Sequence, residues 1–315
     1  MKIFFLFFSF SAILLAAINA IDIMPIDVKK SLPHIKILDQ KELSFTRIQG
    51  VKFAELSDAA YDAKKKQLYF VSDKGILYQF HASFSEKIDR LESVRAVKLK
   101  TKKGLRFKKW KRDSEGLVLD AQGRLYISFE GKAKVARFHK TGKHFAQLIR
   151  KVKIPKVLRP TSSYRSKNKS LEALTWHKKY GLLTATEWPL RKDDKKRQTI
   201  YAFNGKQWHF KAEPEARSSV VAMEVMDDGN VLVLERSYVG LLSPFVITLK
   251  KVYLREQKHG WCKTKILAKM NSHEGWMLDN FEGLTKIAKN RYLMVSDDNE
   301  NFFQKTLLIY FEVTE

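Results

Sequence analysis

The sequence predicts an all-β protein, a β-propeller of four-stranded antiparallel blades, and three observations carry that prediction. One segment layout recurs five times along the chain, acidic residues recur within it at a fixed interval, and no long capped stretch of 3.6-residue periodicity interrupts it. The segments read ELSDAAYDAKKKQLYFVSD (55–73), DSEGLVLDAQGRLYISFE (113–130), SLEALTWHKKYGLLTATE (170–187), SVVAMEVMDDGNVLVLER (219–236) and NFEGLTKIAKNRYLMVSD (280–297). Each is an apolar strand, a polar turn, and a second strand with an acid at its close, and all but the fourth carry an acid at the opening.

The first twenty residues, MKIFFLFFSFSAILLAAINA, have the form of an export signal, with Lys2, an apolar run from Ile3 to Ala17, and the small Ala20 at the cleavage position. The run is short for a membrane-spanning helix, which needs about 20 apolar residues. The expected organisation is therefore a signal peptide over 1–20 and a single domain over 21–315, located in a periplasm or secreted, monomeric and without a transmembrane segment in the mature chain. The single cysteine, Cys262, excludes an intramolecular disulfide, so stability must come from a large core. The formal net charge of +25, or +24 without Lys2, attracts anionic partners such as phosphate compounds or acidic envelope surfaces. Nucleic acid is not expected for an exported chain.

Within each copy, runs such as LYFVS, RLYISF and VLVLE are rich in β-branched, aromatic and aliphatic residues and follow turn sequences such as DAQG and DDG. A third strand follows in ILYQFH (76–81), KVARFH (134–139), TIYAFN (199–204) and TLLIYFEV (306–313), and segments such as HFAQLIRKVKI (144–154) supply a fourth. Residues 21–54 hold further strand material, HIKIL and FTRIQGVKF, which either completes the last blade or forms another, leaving five or six blades open.

The spacing of the acids brings them together. Asp58 and Asp73, Glu115 and Glu130, Glu172 and Glu187, and Glu282 and Asp297 are each fifteen residues apart, enough for about six residues per strand and a short turn. With Glu235 of the fourth copy, nine carboxylates are expected around one mouth. The fourth copy has no opening acid, because its shorter turn aligns Val221 or Ala222 there and leaves Glu224 out of register. So many like charges need a match. One resolution is a Ca²⁺-type ion, which takes six to eight oxygen ligands, held by Asp58, Asp73, Glu130, Glu172, Glu187, Glu235 and the oxygen-rich Asp297-Asp298-Asn299 loop. The other is pairing with Lys74, Arg112, Arg191 and Arg236 beside them.

Other chemistries find little support. There is no G-x-S-x-G nucleophile elbow, and the eight histidines are scattered, with a single cysteine in the chain and so no Cys/His zinc set. Two basic tracts, KLKTKKGLRFKKWKR (98–112) and RKDDKKR (191–197), adjoin the acids and suit an anionic ligand.

The strings DSEGLVLDAQGRLYIS, SLEALTWH, GNVLVLERS and NFEGLTKIAKNRYLMVSDDNENFFQKTLLIYFEV resemble the "esterase-like activity of phytase" family from about Glu55 to Val313. The resemblance implies a propeller fold, export and phytase- or esterase-like hydrolysis. By motif position it marks Glu115, Glu172, Glu235, Arg236, Glu282, Asp297, Asp298 and Asn299. The resulting expectation is an ester hydrolase with no organic cofactor. Glu115 or Glu282 would act as general base, Lys111, Arg112 and Arg236 would clamp the anion, and Ca²⁺ would sit among the acids. The competing expectation is a non-catalytic propeller that binds an anionic ligand or envelope surface through its basic loops.

Overall fold

The structure is a computed structural model that describes residues 17–26, 31–166, 168–240 and 243–315. Residues 1–16 of the expected export signal lie outside the described residues; Ile18–Ala20 form a strand. No α-helix occurs among the described residues.

The chain begins with β1 (Ile18–Ala20), β2 (Ser31–Leu32), β3 (Ile35–Leu43) and a small hairpin of β4 (Arg47–Ile48) and β5 (Val51–Lys52). Antiparallel meanders follow. The first comprises β6 (Leu56–Asp62), β7 (Gln67–Ser72), β8 (Ile76–Phe84) and β9 (Ile88–Lys98). The second comprises β10 (Ser114–Leu119), β11 (Leu125–Phe129), β12 (Lys134–Phe138) and β13 (Leu148–Val152). Then come β14 (Leu171–His177), β15 (Gly181–Thr186), β16 (Arg197–Ala202) and β17 (Gln207–Lys211), and after them β18 (Ser219–Val225), β19 (Val231–Ser237), β20 (Val246–Lys258) and β21 (Trp261–Asn271). A parallel pairing of His209 with Trp261 joins these last two meanders into one eight-stranded sheet. The chain ends in β22 (Asn280–Ala288), β23 (Arg291–Asp297) and β24 (Leu307–Val313).

The N-terminal strand material completes this last sheet. β3 pairs antiparallel with β24 from Leu307 opposite Glu42 to Val313 opposite Ile35, and β1 adds outside it. The chain's two ends thus share one sheet, and the FTRIQGVKF stretch forms only the β4–β5 hairpin.

The first strands of the meanders, β6, β10, β14, β18 and β22, contact one another in cyclic order, which makes the molecule a propeller with these strands innermost. Its core lies between sheets. Along β7, Leu68 and Phe70 pack toward the closing sheet, while Tyr69 and Val71 pack toward β10 and β11. β23 alternates in the same way, with Tyr292 and Met294 toward β18–β20 and Leu293 and Val295 toward β6–β8. Period-two alternation between two apolar interfaces explains why these strands read as continuous hydrophobic runs.

Each inner strand bulges once near its start. The pairing register shifts between Ser114 and Leu117, Leu171 and Leu174, Phe281 and Gly283, Leu56 and Asp58, and Val220 and Ala222. Neighbouring inner strands approach so closely here that a Cβ on Gly116 would stand 2.7 Å from the Glu172 carbonyl, and one on Gly283 2.8 Å from the Asp58 Cα. This is the physical requirement behind the glycine of the EGL strings.

Asp58 ties three inner strands together and is a correction to its expected place at the mouth. Its buried carboxylate accepts the N–H groups of Leu117 on β10 at 2.7 Å, Leu284 on β22 at 3.0 Å and its own neighbour Ala59 at 2.8 Å. Asp58→Ala leaves the first two donors without a partner, and the unfolding free energy in urea is expected to fall by about 3 kcal/mol. Asp58→Asn, which keeps an acceptor oxygen, should lose less.

Candidate functional site

At the end of the ring where the inner strands begin, the loops enclose a cavity of about 740 Å³. Two rows of side chains face it, and both follow from the strand register. The bulged residues Glu115, Glu172 and Glu282 form one row, and the closing residues Asp73, Glu130, Glu187, Arg236 and Asp297 of the second strands form the other. Among the described residues, nine carboxylates line the cavity against two cations, Lys169 and Arg236.

Those two cations hold part of the acidic surface. Arg236 donates to Glu282 and Asn280 and lies 3.5 Å from Glu187, while Lys169 pairs with Glu187. Asp279 accepts the Lys305 N–H at 2.6 Å and the Gln304 side-chain amide at 3.0 Å. The carboxylates of Glu115 and Glu172 have no hydrogen-bond partner among the described residues, although only 9% and 7% of each residue's surface is exposed. Burial therefore pushes both carboxyls well above the ordinary range; Glu130 adds to the effect at Glu115, and Glu187 at Glu172. Burial, with Glu187 beside it, raises Glu130 to about 8, and burial, with Glu282 beside it, raises Asp297 to about 9.

Two groups have cation-binding form. Oxygens of Asp113, Glu115 and Glu130 come within 4.8 Å of one another, as do those of Glu130, Glu172 and Glu187. Glu130 belongs to both. Hard oxygen donors at this density fit Ca²⁺ better than zinc, since among the described residues no histidine or cysteine lines the cavity.

The register also moves several expected residues away. The bulge in β6 falls on Ser57, so Ser57 takes the position of Glu115, and Asp58 points between strands instead. In the fourth copy Ser219 pairs with Arg236, so Arg236 occupies the closing position and Glu235 faces the opposite way. Glu235 is buried against Lys250 at 2.7 Å and accepts from the Glu213 N–H and the Ser218 hydroxyl. Asp298 is also outside the cavity lining, stapling the Glu55 and Glu300 N–H groups and the Thr306 hydroxyl. Asn299 does line the cavity. Arg112 instead lines a separate groove with Lys74 and Lys98, because its Cβ packs beside Gly75, and Lys111 is exposed over Trp110. Asp113, Lys169, Asp279 and Asn280 line the cavity without having been marked by the repeat. Their signal was position: Asp113 and Asn280 stand two residues before Glu115 and Glu282.

The sequence model of the phytase-like family, described as esterase-like activity of phytase, matches residues 51–300. No curated protein matches the chain. Among solved structures, the chain is similar to a luciferin-regenerating enzyme at 11% identity and a TM-score of 0.44, over 82% of this chain and 92% of that one. It is also similar to the β-propeller domain of Cps50 (Swd1) from Myceliophteria thermophila at 10% identity and a TM-score of 0.41, over 89% and 92%. A third similarity is to virginiamycin B lyase from Staphylococcus aureus, at 8% and 0.38, over 94% and 99%.

The raised carboxyls set a pH dependence. Glu130 and Asp297 bind protons more tightly in the folded chain than in the unfolded one, so their contribution is present below their ordinary values of 4.5 and 3.8. It is lost as the pH rises through about 8 and about 9. In chelating buffer, the melting temperature should fall between about pH 5 and about pH 9, and Glu130→Gln should reduce that fall by a few degrees and exceed the parent at the alkaline end.

Proposed function

We propose, because the chain belongs to the phytase-like family described as esterase-like activity of phytase, that it hydrolyses a small anionic ester at the carboxylate mouth of a five-bladed, exported propeller. The blade count rests on the cyclic contacts of β6, β10, β14, β18 and β22, and export to a periplasm or beyond the cell rests on the character of residues 1–20. The observation that carries the chemical reading is the pair Glu115 and Glu172, both more than nine-tenths buried and facing the cavity, their carboxylates without a hydrogen-bond partner among the described residues.

Nine carboxylates against two cations would repel a phosphate or carboxylate ester unless positive charge is added. The Glu130–Glu172–Glu187 group would hold a divalent cation of the Ca²⁺ kind. A cation bound there supplies Lewis-acid polarisation of an ester oxygen. The chain's own residues do the rest. Arg236, held by Asn280 and Glu282, presents its guanidinium to the cavity and orients the anion. Glu115, outside the Glu130–Glu172–Glu187 group and facing the cavity, accepts a proton from the attacking water. Glu282 is engaged by Arg236, so it serves to position that residue.

Turnover of aryl phosphates and aryl acetates with and without Ca²⁺ tests this reading. Activity should require the cation, be abolished by chelation, and fall about 10²–10⁴-fold in Glu115→Gln. Ca²⁺ should also raise the melting temperature of the parent and leave Glu130→Gln unmoved. No turnover together with an unchanged melting temperature would overturn the proposal and leave a binding propeller in its place.

A further inference from the structure

The strand directions sort every loop onto one of two ends. Each inner strand starts at the mouth and each second strand ends there, so the turns between second and third strands, and the connections between meanders, all lie at the mouth end. The remaining turns lie at the far end.

Exposed large apolar side chains are not shared between these ends. Among the described residues, apart from Ile26 near the N-terminus and Ile266 on the outer strand β21, they all belong to mouth-end loops. Leu105 and Trp110 stand on the β9–β10 connection, 66% and 51% exposed, and Met277 on the β21–β22 connection. Val239 stands on the β19–β20 turn, and Phe302 and Phe303, 95% and 86% exposed, on the β23–β24 turn. Monomeric proteins rarely cluster exposed apolar groups on one face without a partner.

The same end carries the densest positive charge in the sequence. The tract 98–112 holds nine Lys and Arg residues and no acid, and it interleaves them with Leu105 and Trp110. Lys111 folds its ammonium to 5.7 Å from the Trp110 ring, the arrangement of a cation beside an amphipathic indole. Apolar tips that enter a boundary layer, with cations among them to meet charged headgroups, are what an anionic bilayer surface recognises.

We infer that the mouth face docks on an anionic lipid surface, with Trp110, Phe302 and Phe303 inserted at the headgroup level and the 98–112 tract against the negative charge. In that pose the cavity opens onto the bilayer. Phe303 belongs both to its lining and to the docked rim. This inference goes beyond the hydrolytic reading, since docking needs neither turnover nor a bound cation.

Flotation of the full chain with vesicles of phosphatidylcholine, alone or mixed with phosphatidylglycerol, tests it in chelating buffer without substrate. The parent should partition onto the anionic vesicles, and less so as salt rises. The double variant Trp110→Ser, Phe302→Ser should lose about tenfold or more of that partition at an unchanged melting temperature. Ile266→Ser, which removes an exposed apolar group away from the mouth, should leave it unaltered. Replacing Lys108, Lys109 and Lys111 by Gln should remove the preference for phosphatidylglycerol. Equal binding by the parent and the Trp110/Phe302 variant, equal binding to neutral and anionic vesicles, or no binding by the parent would each overturn the inference. None of these results depends on whether the chain hydrolyses an ester.

Discussion

The close approach of the inner strands at their bulges is the constraint on which the mouth depends. Where Gly116 and Gly283 pass the neighbouring strand, no Cβ fits, and backbone meets backbone. The residue just before each glycine then has nowhere to go but toward the axis. Glu115 and Glu282 are those residues, and Glu172 holds the same bulge position although Ala173 after it keeps its Cβ. Packing between sheets sets how near the strands come, and that distance sets how near the carboxylates come. The electrostatic problem at the mouth is thus a direct product of the apolar packing beneath it.

That problem is solved unevenly around the ring. On one side Arg236 and Lys169 neutralise Glu282 and Glu187, while the carboxylates of Glu115 and Glu172 are left buried with no donor among the described residues. Leaving ionisable groups in this state costs stability unless protons or cations are bound. The asymmetry arises because one strand carries an arginine where its counterparts carry acids. A ring of identical repeats would have no such polarity.

Much of this was legible in the sequence, for a definite reason. A strand repeats every two residues and a hairpin keeps a fixed length, so the interval of fifteen residues identified Glu115 with Glu130, Glu172 with Glu187 and Glu282 with Asp297 as neighbours. The same periodicity makes errors absolute, since a slip of one residue sends a side chain to the other face. Asp58 shares the interval of fifteen but follows the bulge instead of occupying it, and Glu235 precedes the closing position held by Arg236. The bulge offset is set by packing and leaves no mark in spacing alone. Arg112 was hidden for a different reason: adjacency in the chain says nothing about which side of an irregular loop a long side chain takes.

The pairing of β3 with β24 carries a consequence for the order in which this molecule can form. The meanders from β6 to β21 are each built from near neighbours in the chain, so their hairpins can assemble as soon as they are synthesised. The closing sheet cannot, because Ile35 must wait for Val313. Until Val313 emerges from the ribosome, the apolar faces that will meet at this seam remain open, a window in which a chaperone still finds an unlocked chain. Closure of the ring therefore waits on the latest-made strand of the propeller.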